Sequence, residues 1–97
     1  MERILKFELE ITDEQIIDIP SGSRVLSVQE QRGKLCLWAV VDDTKKSTGK
    51  FKIQIFGTGN PLPETLLNFS YDSPSGYIRQ FIGTVQMQNG LVWHVFH

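Results

Sequence analysis

The sequence predicts a small, mainly all-β domain, an antiparallel sandwich or barrel of about seven strands with at most one short helix. Three stretches carry that prediction. Leu35 to Val41 runs without a charge, and a strand apolar on both faces belongs inside a sheet rather than at its edge. Leu5, Phe7, Leu9 and Ile11 alternate with Lys6, Glu8 and Glu10, the period of a strand with one buried and one wet face. Asn89-Gly90, set between two apolar stretches, is the strongest hairpin signal in the chain.

The other elements follow in order. Thr12-Asp13-Glu14 punctuates the first strand, and Gln15 to Ile19 reads as a second that stops at Pro20. Pro20-Ser21-Gly22-Ser23 is a turn; Arg24 to Gln31 resumes a strand, and Arg32-Gly33 folds it back onto the run from Lys34 to Val41. Asp42 to Lys50 is polar and reads as a solvated loop. Phe51 to Phe56 alternates again, with Lys52 and Gln54 on the wet side. After Gly57-Thr58-Gly59-Asn60-Pro61, a single helical turn is expected to begin at Pro63, and Ser70 to Gly76 is a loop. Tyr77 to Gln88 and Leu91 to Phe96 are the last two strands.

Two hairpins share a pattern. Val28 to Gly33 and Val85 to Gly90 both read Val-Gln-x-Gln-x-Gly, and each precedes a strand with a tryptophan, Trp38 or Trp93. Taking Arg32-Gly33 as the turn, Leu26, Val28, Leu35, Leu37, Ala39 and Val41 share one face. Ser27, Gln29, Cys36 and Trp38 share the other. Taking Asn89-Gly90 as a two-residue turn, Gln86 faces Trp93, Val85 faces His94, and the Phe96 ring lies over Gly83. His94 then falls on the core face, and Trp93 joins Thr84 and Gln86 on a mixed one. Tryptophans among Gln, Ser and Thr suit an interface or a ligand surface, or else a helix-free sandwich simply covers both rings in its core; self-association through the mixed faces is the preferred functional reading.

Composition narrows the chemistry. The 97 residues make one domain, 1–97, with room for one modest core. With 40% hydrophobic and 22% charged residues, wholesale disorder is excluded. A net charge of −1 gives no global basic excess for sequence-independent nucleic-acid binding, although Lys45, Lys46, Lys50 and Lys52 lie close together. Cys36 is the sole cysteine, and His94 and His97 both sit near one end, so a structural zinc site is not expected. No apolar run reaches bilayer length and no secretory signal is read, which makes the cytoplasm the expected compartment. Asp42 and Asp43 are adjacent and diverge on a strand, no nucleophile has a readable base, and catalysis is not expected.

Binding residues are more legible than catalytic ones. Gly57-Thr58-Gly59-Asn60 ends a strand, either as an anion nest of successive N–H groups or, more simply, as a turn. Arg79, between Tyr77 and Phe81, is a candidate anion partner.

Several runs carry a family resemblance: Leu9 to Gln15, Ile19-Pro20, Val25 to Gln29, Cys36 to Asp42, Phe56 to Pro61, Ile82 to Gln86 and Val92 to Phe96. They resemble small proteins of unknown function encoded by tailed bacteriophages and prophages, over most of the chain. The resemblance brings no assigned activity. By analogy it implies a compact, oligomeric, non-enzymatic phage accessory protein in the host cell, sequestering a nucleotide-type immune signal between subunits. The residues expected to hold such a ligand are Gln29, Trp38, Gly57, Thr58, Gly59, Asn60, Arg79, Gln86 and Trp93. No cofactor is expected. The competing expectation is a module that blocks a host protein or joins a phage assembly.

Overall fold

The computed structural model describes residues 1–62 and 80–97, and among them it forms seven strands and no helix. In chain order these are β1 (Glu2–Leu9), β2 (Glu14–Pro20), β3 (Arg24–Gln31), β4 (Lys34–Asp42), β5 (Thr48–Gly57), β6 (Phe81–Gln86) and β7 (Val92–Phe96). The helical turn expected at Pro63, the loop from Ser70 to Gly76 and Arg79 lie outside the described residues. The charged loop is shorter than expected, because β5 starts at Thr48 so that Lys50 stands opposite Asp18.

All pairings are antiparallel, in a three-stranded sheet ordered β1-β4-β3 and a four-stranded sheet ordered β2-β5-β7-β6. β4, the all-apolar run, is the central strand of its sheet, as its sequence requires. The sheets stack face to face, giving a small β-sandwich whose shortest extent is 17 Å, the thickness of two layers. Leu9, Val28, Leu35, Leu37 and Ala39 from one sheet meet Ile53, Ile55, Val85 and Val95 from the other. Burying such side chains contributes roughly 1.5–3 kcal/mol each. β3 lies against β6 at one margin, where Gly83 makes room for Val28: a Cβ there would sit 3.2 Å from the Val28 Cγ1.

Two registers depart from the expected ones. In β3, Val25 opposes Ala39 and Ser27 opposes Trp38, so Leu26 is the extra residue of a β-bulge. Val25 takes the core position expected of Leu26, which is instead 47% exposed.

The second departure is larger. Gly90 N–H donates to Met87 C=O at 3.0 Å and Met87 N–H to Leu91 C=O at 2.8 Å, so the β6–β7 loop is Gln88-Asn89-Gly90 rather than Asn89-Gly90. Gly90 has φ of 89°, while Asn89 keeps a negative φ. That is a three-residue turn ending in a left-handed glycine. The partners move by one position: Val85 opposes Trp93, Thr84 opposes His94 and Gln86 opposes Val92. Gly83 opposes Val95, and Phe96 opposes Phe81 rather than lying over Gly83. A one-residue slip exchanges the two faces of a strand. Trp93 therefore packs against the core, and His94 leaves it.

Candidate functional site

The outer face of the three-stranded sheet is built from alternate residues of β1, β4 and β3. Trp38 stands at its middle, between Lys6 of β1 and Ser27 of β3. One step along, Val40 stands between Ile4 and Arg24; one step the other way, Cys36 stands between Glu8 and Gln29. Trp38 is half-buried and Gln29 exposed, while Cys36 is buried to 1% and makes only a long contact from Sγ to Lys34 C=O. The Trp38–Gln29–Ser27 face expected from the sequence is thus formed.

Charge on this face is distributed unevenly. Lys6 Nζ donates to Gln31 Oε1 at 2.6 Å, and Lys34 lies 3.9 Å from Glu8. Arg24 makes no ion pair or hydrogen bond through its side chain among the described residues, leaving its guanidinium available to an anion. A hollow of about 360 Å³ opens beside it, lined by Glu2, Gly22, Arg24, Val40, Val41 and Asp42. Hydrogen bonds from the Thr44 hydroxyl and backbone N–H hold the Asp42 carboxyl at a pKa of about 2, so it is ionised at neutral pH. The hollow thus combines a forked cation with acceptors for hydroxyl or amino groups.

The other predicted residues do not join this surface. Gly57, Asn60 and Trp93 converge at the far end of β5: a Cβ on Gly57 would meet the Asn60 Nδ2 at 2.7 Å and the Trp93 Cζ3 at 3.2 Å. The loop itself is a turn. Asn60 N–H donates to Gly57 C=O at 3.1 Å and Thr58 N–H to Val92 C=O at 3.4 Å, so both amides are engaged before an anion arrives. Gly59 supplies the positive φ, 87°, that such a turn needs. Thr58 belongs to a different group: its hydroxyl lies 2.7 Å from His94 Nε2, and Thr84 Oγ1 lies 3.0 Å from His94 Nδ1. Gln86 is exposed on that same outer face of the four-stranded sheet.

That second face also carries Phe56 and Phe96, 8% and 7% exposed, edge to face at 5.8 Å, with Phe81 5.3 Å from Phe96. A cleft of about 370 Å³ nearby has Asp13, Glu14, Gln54, Phe56 and Asn60 among its walls. Asp13 and Glu14 there, with no cation among the lining residues, oppose an anionic ligand, whereas Glu2 and Asp42 share the first hollow with Arg24. The lysine cluster is likewise partly neutralised, with Lys50 2.6 Å from Asp18 and Lys52 3.3 Å from Glu14. Among the described residues no group of three His, Cys, Asp or Glu side chains is placed to hold a metal, and no helix is long and apolar enough to cross a membrane.

Sequence reasoning missed Lys6, Arg24, Ile4 and Val40 as neighbours of Trp38. The period-two patterns locate each strand's faces, but the pairing of β1 with β4 joins residues 26 to 40 positions apart, and nothing local announces it.

A family model described as "Domain of unknown function (DUF7352)" matches residues 1–97. No curated protein and no solved structure matches the chain.

Proposed function

The chain belongs to the DUF7352 family, whose description names no activity, and from the surroundings of Trp38 we propose that it is a non-enzymatic, homo-oligomeric binding protein. Its ligand is a small nucleotide-type anion, and its binding surface is the outer face of the three-stranded sheet. The observation that carries this reading is a half-buried indole on a wet sheet face, with Lys6 beside it and Arg24, unpaired among the described residues, one register step away. An indole offers a stacking surface to any base, worth roughly 1–3 kcal/mol. Arg24 and Lys6 meet phosphate, and Gln29 with Ser27 supplies donors and acceptors. The resemblance to small tailed-phage proteins supplies the setting: capture of a host immune signal in the host cytoplasm.

The test is a thermal-shift and indole-fluorescence titration of the full chain against cyclic nucleotides and adenosine-ribose compounds. Ligand at a hundredfold excess over Kd adds roughly 2.7 kcal/mol to stability, which raises the unfolding midpoint by several degrees. The rise is expected to vanish in Trp38→Ala and to shrink in Arg24→Ala. A flat midpoint across the whole panel refutes the proposal.

One observation favours a second reading. Ile4 and Leu26 are 62% and 47% exposed beside Trp38, an apolar rim better matched to a protein than to a nucleotide. A host protein retained stoichiometrically by the wild type and released by Trp38→Ala would support this reading over the first.

A further inference from the structure

Among the described residues β1 is hydrogen-bonded on one side only, to β4. Asp43 N–H donates to Met1 C=O at 3.1 Å, which sets the phase of the ladder. In an antiparallel pair, opposed residues alternate between exchanging both hydrogen bonds and exchanging none. Odd-numbered residues of β1 therefore turn their backbone groups toward β4. Glu2, Ile4, Lys6 and Glu8 turn theirs toward the open edge, a row of donors and acceptors ready for another strand.

We infer that this edge pairs antiparallel with β1 of a second copy, with Ile4 on the two-fold axis, so that two three-stranded sheets become one continuous sheet. The inference rests on the homo-oligomeric reading above and specifies its partner and geometry. Charge selects the register. With Ile4 on the axis, Glu2 faces Lys6 of the second copy twice, and Ile4 faces Ile4. Moving the axis to Leu5 sets Glu2 against Glu8 twice, and moving it to Lys6 opposes two lysines; both are repulsive. Placing Phe7 on the axis also opposes unlike charges, Lys6 against Glu8, over an overlap of the same length, but it leaves Ile4 outside the ladder. The Ile4 register also covers the large apolar side chain that β1 exposes most, Ile4 at 62%, and brings Leu5, 41% exposed, beside Arg3 of the second copy.

Of the remaining edges, β3 and β6 lie against each other at one margin, and β2 lacks this complementarity. Ser21 N–H donates to Ser47 C=O and Ile55 N–H to Asp13 C=O, so Glu14, Ile16, Asp18 and Pro20 face outward along β2. Pairing β2 with itself about Ile16 opposes Glu14 with Asp18 twice, and Pro20 brings no N–H to the ladder. β1 is the edge suited to a second copy.

The joined sheet would carry both Trp38 residues on one face, doubling the proposed binding surface. Because each register puts a different residue on the axis, a cysteine scan reads it directly. Ile4→Cys, Leu5→Cys, Lys6→Cys and Phe7→Cys are made in the full chain, whose native Cys36 is buried. Each variant is oxidised mildly and run without reductant, beside light scattering of the unmodified protein. Hydrogen-bonded partners have Cα atoms about 5.5 Å apart, within disulfide reach. A dimer by scattering with cross-linking at Ile4→Cys is the expected result. A monomer, or cross-linking at another position instead, overturns the inference.

Charge reversal gives a readout independent of cysteine. Glu2→Lys should weaken dimerisation about tenfold, and Glu2→Lys with Lys6→Glu should restore it. Absence of rescue also overturns the register. The two proposals fail separately. A monomer that still quenches with nucleotide defeats the edge pairing and the oligomeric part of the reading above but leaves the ligand standing, whereas an Ile4-linked dimer blind to every nucleotide defeats only the ligand.

Discussion

The two tryptophan-bearing hairpins share the pattern Val-Gln-x-Gln-x-Gly yet send their indoles to opposite sides of their sheets. In β3–β4 the loop is Arg32-Gly33, with φ of 54° and 80°, the two left-handed residues of a tight two-residue turn. In β6–β7 only Gly90 is left-handed, and Gln88 joins the loop. That added loop residue decides whether a ring faces water or core. For the second hairpin, a two-residue turn would bury His94 and expose Trp93. The observed turn packs the half-buried indole against the core and lets His94 bond two threonine hydroxyls on the outer face. Burying apolar area is favourable, whereas a buried imidazole needs partners the core does not hold. Turn propensity is worth less than this difference.

The largest effect should come from cutting away each ring in turn. Trp93→Ala is expected to cost about 3 kcal/mol, because it leaves a void beside Val85 and Gly57. Trp38→Ala should cost less than about 1 kcal/mol, since its face is not covered by the second sheet. Urea denaturation of both variants reads the contrast, and equal losses would erase the distinction drawn between the rings.

A smaller effect tests how tightly Trp93 is held. Gly57→Ala places a Cβ 3.2 Å from the Trp93 ring and 2.7 Å from the Asn60 amide nitrogen, for an expected loss of about 1 kcal/mol. Adding Asn60→Gly removes the closer contact and should recover part of that loss in the same denaturation assay. Deleting Gln88 should change stability by less still, within about 1 kcal/mol, because Met87 and Leu91 remain partners across a now two-residue Asn89-Gly90 turn. An unchanged Trp93 emission maximum would accompany it; a red shift would mean that the turn alone sets the register.

The smallest effect is a pH dependence at the same end of the sandwich. His97 stacks on Phe51 at 5.9 Å, and burial holds its pKa below the ordinary histidine value of 6.5. The unfolded chain then binds the proton more readily than the folded one. Stability from this residue is fully present above pH 6.5 and is lost as pH falls through the lowered folded value. The urea midpoint should therefore drop between neutral and mildly acidic pH, and His97→Gln should flatten that slope.

Much of this molecule was legible along the chain because the evidence for it is local. The strand from Lys34 is apolar on both faces and lies centrally; the alternation from Leu5 to Leu9 marks a half-exposed strand; Arg32-Gly33 turns where its glycine allows. The Trp38–Gln29 face follows from those facts alone. Leu26 and Trp93 were not legible. A bulge and a turn of one extra residue each reverse a face, and neighbouring residues do not say which side the opposing sheet will cover.

Sequence by itself determined an all-β chain of seven strands, the face that Trp38 shares with Gln29, and the charges that mark the outward edge of β1. Only the tertiary structure decided that β1 adds to β4, that Lys6 and Arg24 flank the indole, and that Trp93 turns inward. The reason is the range over which the forces act. Strand period and turn geometry are set within a few residues, whereas strand partners and buried faces are chosen by how much apolar surface the whole chain removes from water.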